Sequence, residues 1–427
     1  MTRQQPLPPS YWAASAPAAI ETSALAEDVR ADVVIIGGGY VGLSTALHLP
    51  ADTKVVVLEA NDIGFGGSGR NNGLAIPTLS KPDPDQIIAN IGTEFGGRLV
   101  EVVQNSASLV FDLIERYQMA EAGSQNGWLQ PAHRPDRMKF LAGRVAQWQR
   151  TGADVTLLSA PEMADRLGSD YWHGGWAANT GGIVNPLAYC RGLAKAAQQN
   201  GAEIYTGSPA QSIRRDGSQW LVSTPSGSVT ADRMLLATNA YTDDLWPGLK
   251  RTLVRVRNDQ MATPVLPDHV RQSVVPGGEA VSDTRGDLHF FRWTEDNRIV
   301  TGCSTIQHVS ESAIRRRVLA RLKRCFPAID IPDFEYHWNG FVGVTPDFMP
   351  RLNNLGPGAI AWMGGNGRAV AMGTGMGQAI ANYLVRDVPD ELPLPLTGIS
   401  EIPLHGLVAP FAKLKILQAR WNDRKAI

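Results

Sequence analysis

Residues 31–73, ADVVIIGGGYVGLSTALHLPADTKVVVLEANDIGFGGSGRNNG, constrain what this chain can fold into more than any other stretch. Val33-Val34-Ile35-Ile36 is an apolar, β-branched run of the kind that forms a strand buried on both faces. Gly37, Gly39 and Gly42 follow in G-x-G-x-x-G spacing, and residues 40–49 suit a helix. Residues 55–58, Val-Val-Val-Leu, make a second buried strand that ends at Glu59. The first glycine permits a tight turn, the second lets a pyrophosphate approach the backbone, and the third lets helix and strand pack closely. Tyr40 and Val41 open the helix, whose free N–H groups and positive dipole end attract phosphate. Glu59 and Ala60 fall about twenty residues after the first glycine, where an acid accepts a hydrogen bond from a ribose hydroxyl. Together these parts predict a dinucleotide site in an α/β fold.

The next ten residues, Gly64-Phe65-Gly66-Gly67-Ser68-Gly69-Arg70-Asn71-Asn72-Gly73, are backbone suited to lie against a ligand. A nicotinamide-binding unit would normally run on into another helix and strand, and an ordinary flexible loop is the plain alternative. GFGGSGRNNG resembles the GFGASGRNGG stretch of the γ-glutamylputrescine oxidase-like branch of the D-amino-acid oxidase superfamily, which are FAD-dependent amine and amino-acid oxidoreductases. The resemblance implies that this loop passes beneath the pyrophosphate and flavin ring, with Gly67, Ser68, Arg70, Asn71, Asn72 and Gly73 near the cofactor. Residues 237–240, Ala-Thr-Asn-Ala, are similar to a family element that turns near the adenosine and pyrophosphate, which adds Ala237, Thr238 and Asn239. Gly364, Gly365, Gly367, Arg368 and Ala369 form a glycine-rich turn into a helix, a ready anion site. In the family that helix points its N-terminus at the pyrimidine end of the flavin.

The resemblance is strongest over 32–73, 182–242 and 340–384. It implies a Rossmann-like FAD-binding domain assembled from 30–85, 184–247 and 340–388. The substrate domain, with an antiparallel sheet, would take 86–183 and 248–339. Residues 1–29 read as an arm with Tyr11 and Trp12 as anchors, and 389–427 as a tail. Apolar spacing predicts helices over 85–117, 137–151, 187–200 and 311–326, and Ser159 with Glu162 forms a capping box. Strands are expected at 203–205, 219–223, 233–238, 252–263, 288–293, 298–301 and 359–363.

At 427 residues the chain can hold two or three domains. Its 43% hydrophobic and 19% charged content excludes wholesale disorder, and a net charge of -1 gives no reason to expect nucleic acid. Cys190, Cys303 and Cys325 stand far apart, so neither a metal site nor a disulfide framework is indicated. The N-terminus is interrupted by prolines, and no apolar run approaches the length of a membrane span, so the expectation is a soluble, cytoplasmic protein. In the basic tail, Phe411, Leu414, Leu417 and Trp421 recur at helical spacing; that stripe is expected to dock on the protein's own body or a partner subunit, a membrane surface being the alternative.

The chemistry implied by the resemblance is hydride transfer to flavin N5 from the carbon beside a substrate nitrogen. The imine formed is then hydrolysed by water. The partners are a small-molecule amine and oxygen or another electron acceptor. Arg368, Arg70 and His289 are the candidates for catalytic work, Arg368 by stabilising negative charge near flavin N1 together with the N–H groups of 365–369. His173 is the other histidine considered, a structural role being the ordinary reading for both. Arg255, Arg257 and Arg292 could bind a distant carboxylate, although surface ion pairs are commoner. Where sarcosine-oxidase-type enzymes tether flavin through cysteine this chain has Gly340, so FAD is expected to be held without a covalent bond. At the position of their carboxylate-binding lysine stands Ala371, which makes small N-methyl amino acids doubtful. Absence of the lysine that such oxidases keep over N5 leaves oxidase and dehydrogenase both open. An enzyme for a cyclic or secondary amino acid such as L-pipecolate, a non-catalytic or complex-subunit flavoprotein, and an NAD(P)-dependent dehydrogenase are the competing readings.

Overall fold

The first strand starts earlier than its apolar run, at Val29, and ends at Ile36 where Gly37 turns the chain. This is seen in a computed structural model that describes residues 5–408 apart from 120, 288 and 306–308, together with 418 and 421. Val29–Ile36 lies between Val55–Leu58 and Ser228–Leu236, parallel to both. Glu203–Tyr205 and Ala359–Met363 extend the parallel sheet on either side. Antiparallel Arg351–Gly356, the edge strand Leu396–Thr397 and the hairpin Ser212–Asp216/Gln219–Ser223 complete nine strands. Alternation along the central strands divides two cores. Val33, Ile35, Val55 and Val57 pack with helices Tyr40–His48 and Ala371–Arg386. Val34, Ile36, Val56 and Leu58 face the other way, against Trp220 and Met234. Burial on both faces explains why these strands are unbroken apolar runs.

The second sheet has eight strands in the order Tyr336–Val344, Val254–Ala262, Ile299–Thr305, Phe290–Trp293, Ala280–Ser282, Trp128–Pro131, Gly175–Ala178, Val155–Leu158. Its pairings are antiparallel except where Ala280–Ser282 runs parallel to Trp128–Pro131. Tyr336–Val344 passes through residue 340 and pairs along its whole length with Val254–Ala262. Three short strands, Leu74–Ala75, Gly182–Val184 and Gly123–Ser124, form a third sheet.

Helices Arg137–Arg150, Pro186–Gln199 and Glu311–Cys325 match expectation to within a residue at each end. The expected helix over 85–117 is instead two helices, Pro84–Ile91 and Thr93–Arg116, separated at Gly92 with φ of 84°. They pack so closely that a Cβ on Gly96 would lie 2.7 Å from Ile88 Cα. Ser159 and Glu162 form both halves of the capping box. In the arm, Trp12 Nε1 donates to the carbonyl of Asn71 at 2.8 Å and Tyr11 Oη donates to Asp296 at 2.6 Å. All three cysteines are buried and free, and no cluster suited to a metal occurs among the described residues. No helix of the described residues is long and apolar enough to cross a membrane. The apolar stripe expected in the tail lies outside the described residues apart from Trp421, which is exposed.

Candidate active site

Between the two large sheets lies a cavity of about 860 Å³. Gly37, Gly39, Tyr40, Val41, Glu59, Ala60, Gly67, Ser68, Arg70, Asn71, Asn72, Ala237, Thr238, Asn239, Gly365, Gly367, Arg368 and Ala369 all line it. Segments more than 300 residues apart in sequence thus meet on one surface. Gly42, Gly73, Gly364 and His289 are not on the wall.

The glycines explain how backbone comes so close. Gly37 has φ of 118°, and a Cβ there would meet the carbonyl oxygen of Ala237 at 2.9 Å. On Gly39 it would meet Ser68 Oγ at 2.7 Å, and on Gly42 it would lie 2.1 Å from the carbonyl oxygen of Gly37. Gly42 is therefore the contact between helix and turn. Gly73 and Gly364 are likewise packing positions, a Cβ falling 2.0 Å from the Val184 carbonyl oxygen and 2.6 Å from Thr345 Cγ2. The loop holds its own shape. Asn71 Nδ2 donates to the carbonyl of Ser68 at 2.8 Å and Asn71 Oδ1 accepts from the Gly73 N–H at 2.7 Å. Arg70 donates to the Phe65 carbonyl at 2.6 Å and stacks 4.4 Å from that ring, burial drawing its pKa down. Asn239 Oδ1 accepts from Gly364 N–H at 3.1 Å, which joins the 237–240 turn to the last glycine-rich segment.

Glu59 accepts from the N–H groups of Gly38 and Asn61 at 2.7 and 3.0 Å, one on each carboxylate oxygen. Burial raises its pKa, and those two backbone donors partly offset the rise. Arg368 lies 5.4 Å over the Trp128 ring, and its Nε has no hydrogen-bond partner. The protein packed around it, with the like charge of Arg144 nearby, pushes its pKa down to about 9. Arg144 is itself tied by a buried ion pair to Asp83 at 2.8 Å, and Trp148 Nε1 donates to the same carboxylate oxygen at 3.1 Å.

Among the described residues no histidine lines the cavity. His289 stands behind the wall. Its Nδ1–H donates to Asp283 Oδ2 at 3.0 Å, the tautomer that a carboxylate partner requires. Burial pushes the His289 pKa down to about 4, although the Asp283 carboxylate opposes this. His173 is exposed. The strand arginines are also off the wall. Arg257 pairs with Asp259 at 2.8 Å, and exposed Arg255 stacks on Phe341 at 4.2 Å. Arg292 is buried beneath Trp12 and donates to the carbonyls of Val184, Gly73 and Trp293.

Wall residues that sequence reading missed are Asn258, Gln260, Phe290, Ser304 and Trp362. The available signal was the alternation that puts Asn258 and Gln260 on one face of their strand. The amide oxygens of Asn258 and Gln260, the Arg368 Nε and the Trp362 Nε1 are buried without a hydrogen-bond partner. Buried polar atoms are seldom left so; Trp362 and Arg368 sit beside the glycine-rich segments that permit close backbone approach, whereas Asn258 and Gln260 belong to the antiparallel sheet. The residues present fit a large polar cofactor such as FAD.

Fold and site together define an α/β flavoprotein oxidoreductase whose cavity lies between a parallel and an antiparallel sheet. The chain matches the family described as "FAD dependent oxidoreductase" (DAO) over residues 32–383, and it belongs to that family. FAD is accordingly its cofactor. It is 31% identical over 382 residues to "Gamma-glutamylputrescine oxidoreductase" of Escherichia coli, covering 88% of this chain and 89% of that protein. It is 30% identical over 390 residues to "Probable oxidoreductase OrdL" of Rhizobium meliloti, covering 89% and 90%. Glycine oxidase from Geobacillus kaustophilus shares the fold with a TM-score of 0.70 at 20% identity, covering 84% of this chain and 95% of that one. L-proline dehydrogenase from P. horikoshii does so with a TM-score of 0.70 at 19% identity, covering 85% and 95%.

Proposed function

We propose that this chain oxidises a C–N bond in an amine or N-substituted amino acid, as its γ-glutamylputrescine oxidoreductase relative implies, and passes the electrons to oxygen or another acceptor. The observation that carries this reading is one cavity faced by three glycine-rich segments and by a cation, Arg368, with no hydrogen bond to its Nε. FAD, when bound, supplies the two-electron acceptor. Gly37, Gly39 and the start of helix Tyr40–His48 hold the pyrophosphate. Glu59 has spare lone pairs on both oxygens for a ribose hydroxyl, and Ala237, Thr238 and Asn239 flank the adenosine side. The N–H groups around Gly365, Gly367 and Ala369 would hold the pyrimidine end.

Arg368 remains cationic at neutral pH, since about 9 is still above the ambient value. It would stabilise negative charge on the bound acceptor ring, an effect of about 3 kcal/mol for a well-placed donor. His289 acts as a positioning residue. It orients Asp283, which with Tyr171 holds Arg285 on the cavity wall. FAD is held without a covalent bond through sulfur, because Cys190, Cys303 and Cys325 are all buried off the wall and Gly340 lines it.

The purified protein is expected to be yellow and to release FAD on denaturation. Anaerobic mixing with polyamines, γ-glutamyl amines and cyclic amino acids should bleach the colour with at least one of them. A yellow protein that none of these bleaches overturns the assignment.

A further inference from the structure

Two side chains on the antiparallel wall have polar atoms that the protein does not satisfy. Asn258 and Gln260 are two residues apart on strand Val254–Ala262 and both line the cavity, 7% and 4% exposed. Neither Asn258 Oδ1 nor Gln260 Oε1 has a hydrogen-bond partner. The intervening Asp259 faces away, where it accepts from Arg257 and from His337 at 2.8 and 2.9 Å. Beside Asn258 in register stands Gly340, which carries no side chain to cover the amide. A buried carbonyl oxygen left without a donor is costly, enough to favour any ligand that brings an N–H or O–H.

The cofactor's polar groups are matched, in the reading above, by the glycine segments of the opposite wall. What faces the two amides is therefore the substrate. The cavity-lining residues of the strands around them are uncharged, with Ser304 in register with Asn258 and Phe290 and Ser282 two and three strands over; Asp283 and Arg285, which follow Ser282 onto the wall, are paired with each other. Neutral acceptors take an amine N–H while favouring the ammonium form far less than a carboxylate, which would hold the nitrogen protonated. Oxidation next to nitrogen needs the free lone pair, so strands that bring no carboxylate beside these amides suit the chemistry, the wall carboxylate of Asp283 being held by Arg285 and His289.

We infer that Asn258 and Gln260 receive the substrate's amine nitrogen through their side-chain oxygens, and that the substrate is an amine bearing at least one N–H. A primary amine offers a hydrogen to each oxygen, a neutral secondary amine to only one, and a tertiary amine to neither. This rests on the proposed amine oxidation.

The test uses yellow holoenzyme and the amine that bleaches the wild type, with N-methyl and N,N-dimethyl versions of it. Apparent Kd, limiting rate of anaerobic bleaching and its pH midpoint are measured for N258L, Q260M, N258D and Q260E. N258L and Q260M should keep bound FAD and each weaken the apparent Kd about tenfold, the worth of one such hydrogen bond. N258D and Q260E should recover affinity while raising the pH midpoint of bleaching by about one unit or more, because their carboxylates favour the ammonium. Affinity should fall from primary to secondary amine, and the tertiary amine should not bleach. Where N258L or Q260M fails to fold, the acidic variants carry the test. Loss of FAD in place of substrate affinity overturns the inference, as do an unchanged Kd and midpoint in all variants or bleaching by the tertiary amine. If no amine bleaches even the wild type, the underlying reading fails and the inference falls with it.

Discussion

The two walls of the cavity are made of different material. The parallel-sheet wall is mostly backbone, brought close by Gly37, Gly39 and Gly67 and braced by Gly42 behind them. The antiparallel wall is side chain: Asn258, Gln260, Phe290, Ser304 and Ser282 come from four strands, and their glycines are few. A backbone wall tolerates no added Cβ but is indifferent to most side-chain chemistry. A side-chain wall tolerates changes of volume but defines which functional groups a ligand must present. On the proposed reading, one holds the cofactor and the other chooses the substrate.

That contrast can be broken by substitution. The largest effect is expected from Gly42→Val, whose Cβ would lie 2.1 Å from the Gly37 carbonyl oxygen; the protein should be recovered colourless or insoluble, and a yellow variant of normal absorbance ratio would contradict the account. Asp83→Ala removes the carboxylate of a buried ion pair and strands Arg144, at a cost of about 3–5 kcal/mol measured by denaturant unfolding. Arg368→Ala should keep FAD but slow anaerobic bleaching about 100-fold, with Arg368→Lys in between; an unchanged rate removes the residue from the mechanism. A smaller effect is expected from acid. His289 titrates near 4 in the folded protein and near 6.5 unfolded. Between those values the unfolded chain binds more protons, so stability is full above about 6.5 and is lost as pH falls toward 4. His289→Gln should flatten that part of the melting-temperature profile. Arg257→Ala should be the mildest, leaving substrate affinity within about twofold, since its guanidinium is committed to Asp259.

The same contrast explains what could be read from the sequence. Strand 55–58, helix Tyr40–His48 and the cavity-lining glycine loop were legible because each is a contiguous motif whose glycines and apolar runs answer local demands. The break at Gly92 was not, because a single glycine in a helical pattern is usually tolerated, and only the close crossing at Gly96 requires the chain to turn there. Asn258 and Gln260 escaped notice because their significance depends on pairing with Tyr336–Val344, some eighty residues further on. For Arg292 a surface ion pair is the commoner expectation and a carboxylate contact the other; it makes neither, because its guanidinium donates to backbone carbonyls and the arm residue Trp12 covers it, a contact across 280 positions that no local pattern encodes.

Because the cavity needs residues 37–41, 237–239 and 365–369 at once, a chain emerging from the ribosome cannot close around its flavin until nearly nine-tenths of it has been made. The nucleotide-binding motif near the start must wait through the synthesis of the entire antiparallel sheet. Loading is thus a late event, and a nascent chain arrested before Gly364 should take up no colour however well its first βαβ unit has folded.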